Sequence, residues 1–188
     1  MPRLFTGIEL PDDVREALAR LRQPLPGARW IEPENYHITL RFAGDVDNRL
    51  AAEFAHALSE VEVQAFEVRF AGTGAFGGNE PRTLWARIEP TPELEALARA
   101  HERAARAAGL QPETRKFKPH VTIARLRNTS VDVVARYLQR QGGFRTEPFL
   151  VSRFALFSSK PQVGGGPYVI EETYPLIGGD YAEYEDEY

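Results

Sequence analysis

Two tetrapeptides of the same design, His37-Ile38-Thr39-Leu40 and His120-Val121-Thr122-Ile123, lie nearly half the chain apart. In a strand, successive side chains point to opposite faces. Each tetrapeptide would therefore set an imidazole and a hydroxyl on one side and two apolar residues on the other. Two such strands facing one another would present two imidazoles and two hydroxyls to one pocket. That set suits displacement at phosphorus, where the incoming water needs a base and the departing oxygen an acid on the opposite side. Histidine serves either purpose because its unperturbed pKa, about 6.5, lies near working pH. Each positioned proton transfer typically contributes on the order of 10²–10⁴-fold. The threonine hydroxyls would hold non-bridging oxygens as charge builds. The scheme calls for no metal and no cofactor. A lone His-x-Thr in a strand is usually a half-buried surface pair. Two copies among only four histidines point instead to a shared site.

The elements that must position these residues can be read from periodicity and caps. A strand is expected over Arg3 to Leu10, then a helix opened by Pro11-Asp12-Asp13 and running over Val14 to Leu21. Tyr36 to Phe42 reads as a strand, and Asp47 caps a helix to about Val61 with Leu50, Phe54 and Leu58 on one stripe. Ala65 to Phe70 and Arg82 to Ile88 follow as strands. Thr91-Pro92 opens the longest helix, which ends near Gly109. Phe117 to Leu126 is a strand, Ser130 to Gln141 a helix and Phe149 to Phe157 a strand. Gly164-Gly165-Gly166 then turns the chain into a hairpin partner over Tyr168 to Tyr174. Hairpins mixed with strand–helix crossovers give an α+β fold with mainly antiparallel sheets. Each histidine strand is followed by a helix, so a duplicated unit facing itself across a cleft is the natural arrangement.

Bulk properties narrow the classes. The chain has 188 residues, enough for one large domain or two small lobes in close contact. With no cysteine there can be no disulfide, thiolate metal site or cysteine nucleophile. No apolar run approaches the ~20 residues that span a bilayer. Met1-Pro2-Arg3 leads straight into Leu4-Phe5-Thr6-Gly7-Ile8-Glu9-Leu10, too short and too interrupted for an export signal, so a cytoplasmic protein is expected. The net charge of −4 owes much to the tail, which carries Asp180, Glu183, Glu185, Asp186 and Glu187 without a Lys or Arg. The rest is near neutral, which suits a small phosphorylated ligand or a chain end better than a long duplex. One domain over residues 1–177 and a disordered acidic tail over 178–188 are expected.

At the twin motifs the chain resembles the two-histidine (2H) phosphoesterases. Within them it looks like the bacterial and archaeal RNA 2′,3′-cyclic phosphodiesterases, also called 2′-5′ RNA ligases. The likeness is carried by Arg3 to Pro11, by Trp30-Ile31-Glu32-Pro33-Glu34-Asn35-Tyr36 leading into His37 to Phe42, by Pro81 to Ala86 and by Phe117 to Arg125. It implies two pseudo-symmetric lobes, each an antiparallel sheet with outer helices, and an active cleft between them. It also implies that His37 donates a proton to the leaving oxygen, that His120 activates water, and that Thr39 and Thr122 hold the phosphate. An aromatic and an arginine five residues after the two histidines, here Phe42 and Arg125, are implied to bind substrate.

Simple alternation argues against that last pair. Five is odd, and a flat strand would point Phe42 and Arg125 away from the histidines unless a bulge re-aims them. Alternation nominates Arg41 and Lys118 instead. The implied reaction opens a 2′,3′-cyclic phosphate at an RNA 3′ end to a 2′-phosphomonoester, with weak reverse ligation. RNA ends are the expected partner, and the chain is expected to be a monomer. The alternatives are an enzyme for a small cyclic phosphate, such as ADP-ribose cyclic phosphate or a cyclic mononucleotide, and a non-catalytic RNA-end binding module. Gly72-Thr73-Gly74-Ala75-Phe76-Gly77 fits G-x-G-x-x-G but no helix follows, so it reads as a mobile loop rather than a dinucleotide site. His56 and His101 are expected on helix surfaces.

Overall fold

The computed structural model describes residues 3–159 and 167–179. In chain order these form β1 (Arg3–Glu9), α1 (Asp12–Ala19), β2 (Ala28–Trp30), a 3-10 turn (Pro33–Asn35), β3 (His37–Asp45), α2 (Asn48–Ser59), β4 (Phe66–Val68) and β5 (Phe70–Phe76). Then come β6 (Thr83–Ile88), α3 (Pro92–Ala108), β7 (His120–Leu126), α4 (Val131–Gln141), β8 (Phe149–Val151), β9 (Arg153–Ser159) and β10 (Tyr168–Pro175). Two four-stranded antiparallel sheets result, in the orders β10-β9-β1-β3 and β2-β7-β6-β5, with β4 and β8 as a separate pair. One histidine motif opens β3 and the other opens β7.

The helices start where their caps place them. The Asp47, Thr91 and Ser130 side chains accept from the backbone N–H groups of Leu50, Leu94 and Val133, satisfying donors that the first turn leaves open. Gly109 ends α3 at φ 104°, a left-handed conformation that suits glycine. Among the described residues no helix is long and apolar enough to cross a membrane.

Several elements depart from expectation. Residues 72–77 are not a mobile loop: most of the glycine run lies within β5, paired to β6. A Cβ on Gly74 would lie 2.3 Å from Trp85 Cη2, so glycine there leaves room for the indole on the next strand. β2 was not foreseen. It is three residues long and half-buried, too short for any alternation to show. The strand expected from Phe117 starts only at His120, after Pro119, which lacks an N–H for the ladder. The strand expected over Phe149 to Phe157 is two strands split at Ser152. The Gly164 to Gly166 turn and most of the acidic tail lie outside the described residues.

His101 also departs from expectation. It is fully buried, on the α3 stripe that also buries Leu94, Leu97, Ala98 and Ala105, whereas His56 is exposed 3.5 Å from Glu60. The Thr6 hydroxyl points to the Arg41 carbonyl at 3.5 Å, so the Thr6 oxygen is left to accept from His101 Nδ1 at 2.8 Å. Nε2 is buried without a partner. Burial lowers the His101 pKa from 6.5 to about 3, since a second proton would create an unpaired cation in the core. Between those values the unfolded chain binds a proton that the folded chain does not. Stability is therefore complete above pH 6.5 and declines as pH falls toward 3, by at most about 1.4 kcal/mol per pH unit for each such histidine. Urea melts between pH 4 and 7 should show a shallower slope for His101→Gln. An unchanged slope would contradict this placement.

Candidate active site

Strand β3 leaves regular register just after its threonine. Gly7 faces Thr39 and Thr6 faces Arg41, so Leu40 is an extra residue. β7 does the same: Trp85 faces Thr122 and Leu84 faces Ala124, so Ile123 is extra. Each bulge sits three residues after its histidine, and each produces two consecutive buried positions, Leu40–Arg41 and Ile123–Ala124. Beyond the bulge the alternation is inverted. Phe42 and Arg125 swing onto the histidine face, and Arg41 turns away from it.

The outcome is one cleft of about 270 Å³ lined by His37, Thr39 and Phe42 from β3 and by His120, Thr122 and Arg125 from β7. Arg41 is not there. It is buried and ion-paired to Glu102 on α3 at 2.6 Å. Lys118 is also outside the lining, exposed on the approach to β7, with Nζ 5.9 Å from the Phe76 ring centroid. Neither residue lines the cleft: at Arg41 the alternation is broken by the bulge, and at Lys118 the strand has not yet begun.

The two imidazoles are held alike. His37 Nδ1 lies 2.9 Å from the Asn35 carbonyl and His120 Nδ1 lies 2.5 Å from the Lys118 carbonyl, in each case the residue two positions earlier. A carbonyl only accepts, so Nδ1 carries the hydrogen in both rings. Nε2 is left as the working nitrogen. That of His37 sits 2.9 Å from Thr39 Oγ1, which donates to it when the ring is neutral.

Aromatic groups box both rings. Phe5, Phe157 and Tyr168 surround His37 with centroids 4.7, 5.7 and 4.9 Å away. Phe76 and Trp85 flank His120 at 5.1 and 5.7 Å. Burial pushes the His37 pKa down to about 4, opposed by the Asn35 carbonyl and reinforced by the charges of His120 and Arg125. Burial also lowers His120, partly offset by the Lys118 carbonyl. Among the described residues Arg125 is exposed and has no ion-pair partner. No group of three or more His, Cys, Asp or Glu is placed to hold a metal among the described residues.

Sequence reasoning missed the rest of the wall, which includes Arg3, Phe5, Asn35, Ser159 and Tyr168. Part of it was readable. Alternation along β1 puts Arg3, Phe5 and Gly7 on one face, and a Cβ on Gly7 would meet the Ile38 carbonyl oxygen at 2.6 Å and His37 Cδ2 at 3.5 Å. Ser159 and Tyr168 arrive by strand order, β10-β9-β1, for which the sequence holds no local signal.

A sequence model of the 2′-5′ RNA ligase superfamily matches residues 10–161. A protein of Archaeoglobus fulgidus named RNA 2′,3′-cyclic phosphodiesterase is 32% identical over 148 residues, 75% of this chain and 84% of its own length. One of Aquifex aeolicus with the same name is 31% identical over 187 residues, 94% of this chain and 98% of its own. Among solved structures, E. coli LigT in apo form aligns with a TM-score of 0.77 at 25% identity, covering 94% of this chain and 98% of LigT.

Proposed function

Because the chain belongs to the 2′-5′ RNA ligase superfamily, we propose that its cleft hydrolyses 2′,3′-cyclic phosphates at RNA 3′ ends to 2′-phosphomonoesters. One observation carries the mechanism: two Nε2 atoms, freed by Nδ1–carbonyl bonds of the same design, belong to one cleft. Water attacks phosphorus while His120 Nε2 takes its proton. The P–O3′ bond breaks as protonated His37 Nε2 gives its proton to O3′, leaving the phosphate on O2′. Thr39 and Thr122 donate to the non-bridging oxygens, Arg125 pairs with the phosphate charge, and Phe42 packs against the nucleoside. No metal takes part. Reversal would join a 2′-phosphate to a 5′-hydroxyl, but concentrated water outcompetes a scarce hydroxyl.

The lowered pKa values bear on the pH profile. Turnover needs the pair to hold one proton, and kcat/KM reports the free enzyme. Its bell should therefore span an acid limb near 4, set by His37, and an alkaline limb below 6.5, set by His120. Bound phosphate brings negative charge beside both rings and raises both values, so the kcat bell should lie at higher pH. A kcat/KM optimum above pH 7 would contradict these electrostatics.

The deciding assay offers cyclic-phosphate-ended oligonucleotides beside cyclic mononucleotides and ADP-ribose cyclic phosphate, with and without EDTA. Oligonucleotides should be preferred and EDTA without effect. Preference for a small substrate would favour a metabolite phosphodiesterase, and binding without turnover a non-catalytic module. The reading extends to a monomer acting in the cytoplasm, since the cleft already gathers both histidines, both threonines and Arg125 and its chemistry calls for no group from a second copy. A dimer mass in light scattering would contradict it.

A further inference from the structure

Arg41, which the cleft does not use, is 7% exposed, and each of its three guanidinium nitrogens has a partner. Nε pairs with Glu102 Oε2 at 2.6 Å, Nη1 donates to the Phe42 carbonyl at 2.5 Å and Nη2 donates to the Gln111 carbonyl at 2.6 Å. Glu102 Oε1 in turn accepts from Glu113 N–H at 3.0 Å and Arg106 Nε at 2.9 Å. One guanidinium thus joins three segments: the bulged part of β3, helix α3, and the connection from α3 to the His120 strand.

Stability is a poor explanation for such a group, because a well-packed apolar residue usually serves a core as well as a buried ion pair. What the guanidinium supplies is position. Strand β3 slips register at Leu40 and again at Ala43, so the residues around Phe42 lack a continuous ladder to β1. Phe42 is also 44% exposed, so packing does not fix it either. Its carbonyl is held from behind by Arg41 Nη1.

We propose that Arg41 is a positioning residue that sets the Phe42 ring as the wall for the substrate's nucleoside, so that it governs affinity for the nucleoside and not for the phosphate. This rests on the reading that Phe42 packs against the nucleoside. Arg41→Lys keeps a cation for Glu102 but cannot reach both carbonyls with a planar fork. The probes are inhibition by adenosine 2′-monophosphate and by inorganic phosphate.

Arg41→Lys should weaken the nucleotide about fivefold or more, the scale of one lost base–aromatic contact. Inorganic phosphate inhibition and the kcat/KM pH profile should stay as in the wild type. Phe42→Ala should show the same selective loss, and the double variant should be no worse than Phe42→Ala alone, because both act through one contact. Equal weakening of nucleotide and phosphate, or additive losses in the double variant, would overturn the proposal while leaving Phe42 as the wall. Undiminished nucleotide affinity in Phe42→Ala would instead remove the wall itself, and the proposal with it. If Arg41→Lys does not fold, Arg41→Met, which has no charge to bury, carries the same comparison.

Discussion

His37→Ala and His120→Ala should each lower kcat on an RNA-terminal cyclic phosphate by about 10²–10⁴-fold, the usual worth of a positioned proton transfer. Each ring has one nitrogen committed to a backbone carbonyl and one left for the cleft, and burial lowers the pKa of both. Since the pair works as a unit on one reaction, the double variant should lose far less than the product of the single losses. Folding should survive, because both rings are only half-buried and stand in the wall of the cleft. Replacing His37 removes a half-buried imidazole whose pKa the fold lowers to about 4, so that variant should also resist mild acid better than the wild type. Full turnover in either single variant would refute the assigned roles.

Arg125→Ala should cost about 10²–10³-fold, comparable to removing one preorganised donor from a developing oxyanion. The guanidinium has no competing ion pair among the described residues and shares the cleft lining with both histidines. Arg125→Lys should recover only part of the loss, because a lysine offers charge without the bidentate fork. A second readout separates this role from a packing defect. The Arg125 charge lowers the His37 pKa, so its removal should move the acid limb of kcat/KM to higher pH. An unmoved limb together with unchanged rate would place Arg125 outside the chemistry.

The bulges explain what could be read from the residues and what could not. His37, Thr39, His120 and Thr122 precede the register slips, so period-two alternation places them correctly on one face. Phe42 and Arg125 follow the slips, so the same rule misplaces them and favours Arg41. A bulge is a property of two strands, and in one strand it leaves at most a broken alternation such as the apolar pair Ile123-Ala124. The helices were legible because caps are local: Asp47, Thr91, Ser130 and Gly109 each announce a boundary within a few residues. His101 was legible too, since it completes the stripe of Leu94, Leu97 and Ala105, but its polarity outweighed its position. The glycine run over residues 72–77 misled in the opposite sense. Its composition suggests a loop, while the reason for Gly74, the indole of Trp85, lies on a neighbouring strand.

The central claim is that His37 protonates O3′ of a cyclic phosphate while His120 delivers water from the far side. Phosphorus NMR of a cyclic-phosphate-ended oligoribonucleotide, turned over in EDTA and ¹⁸O-labelled water, tests it directly. The account predicts a single product with its phosphate on O2′ and one labelled oxygen. A 3′-phosphate, an equal mixture, or no product without added metal would contradict it.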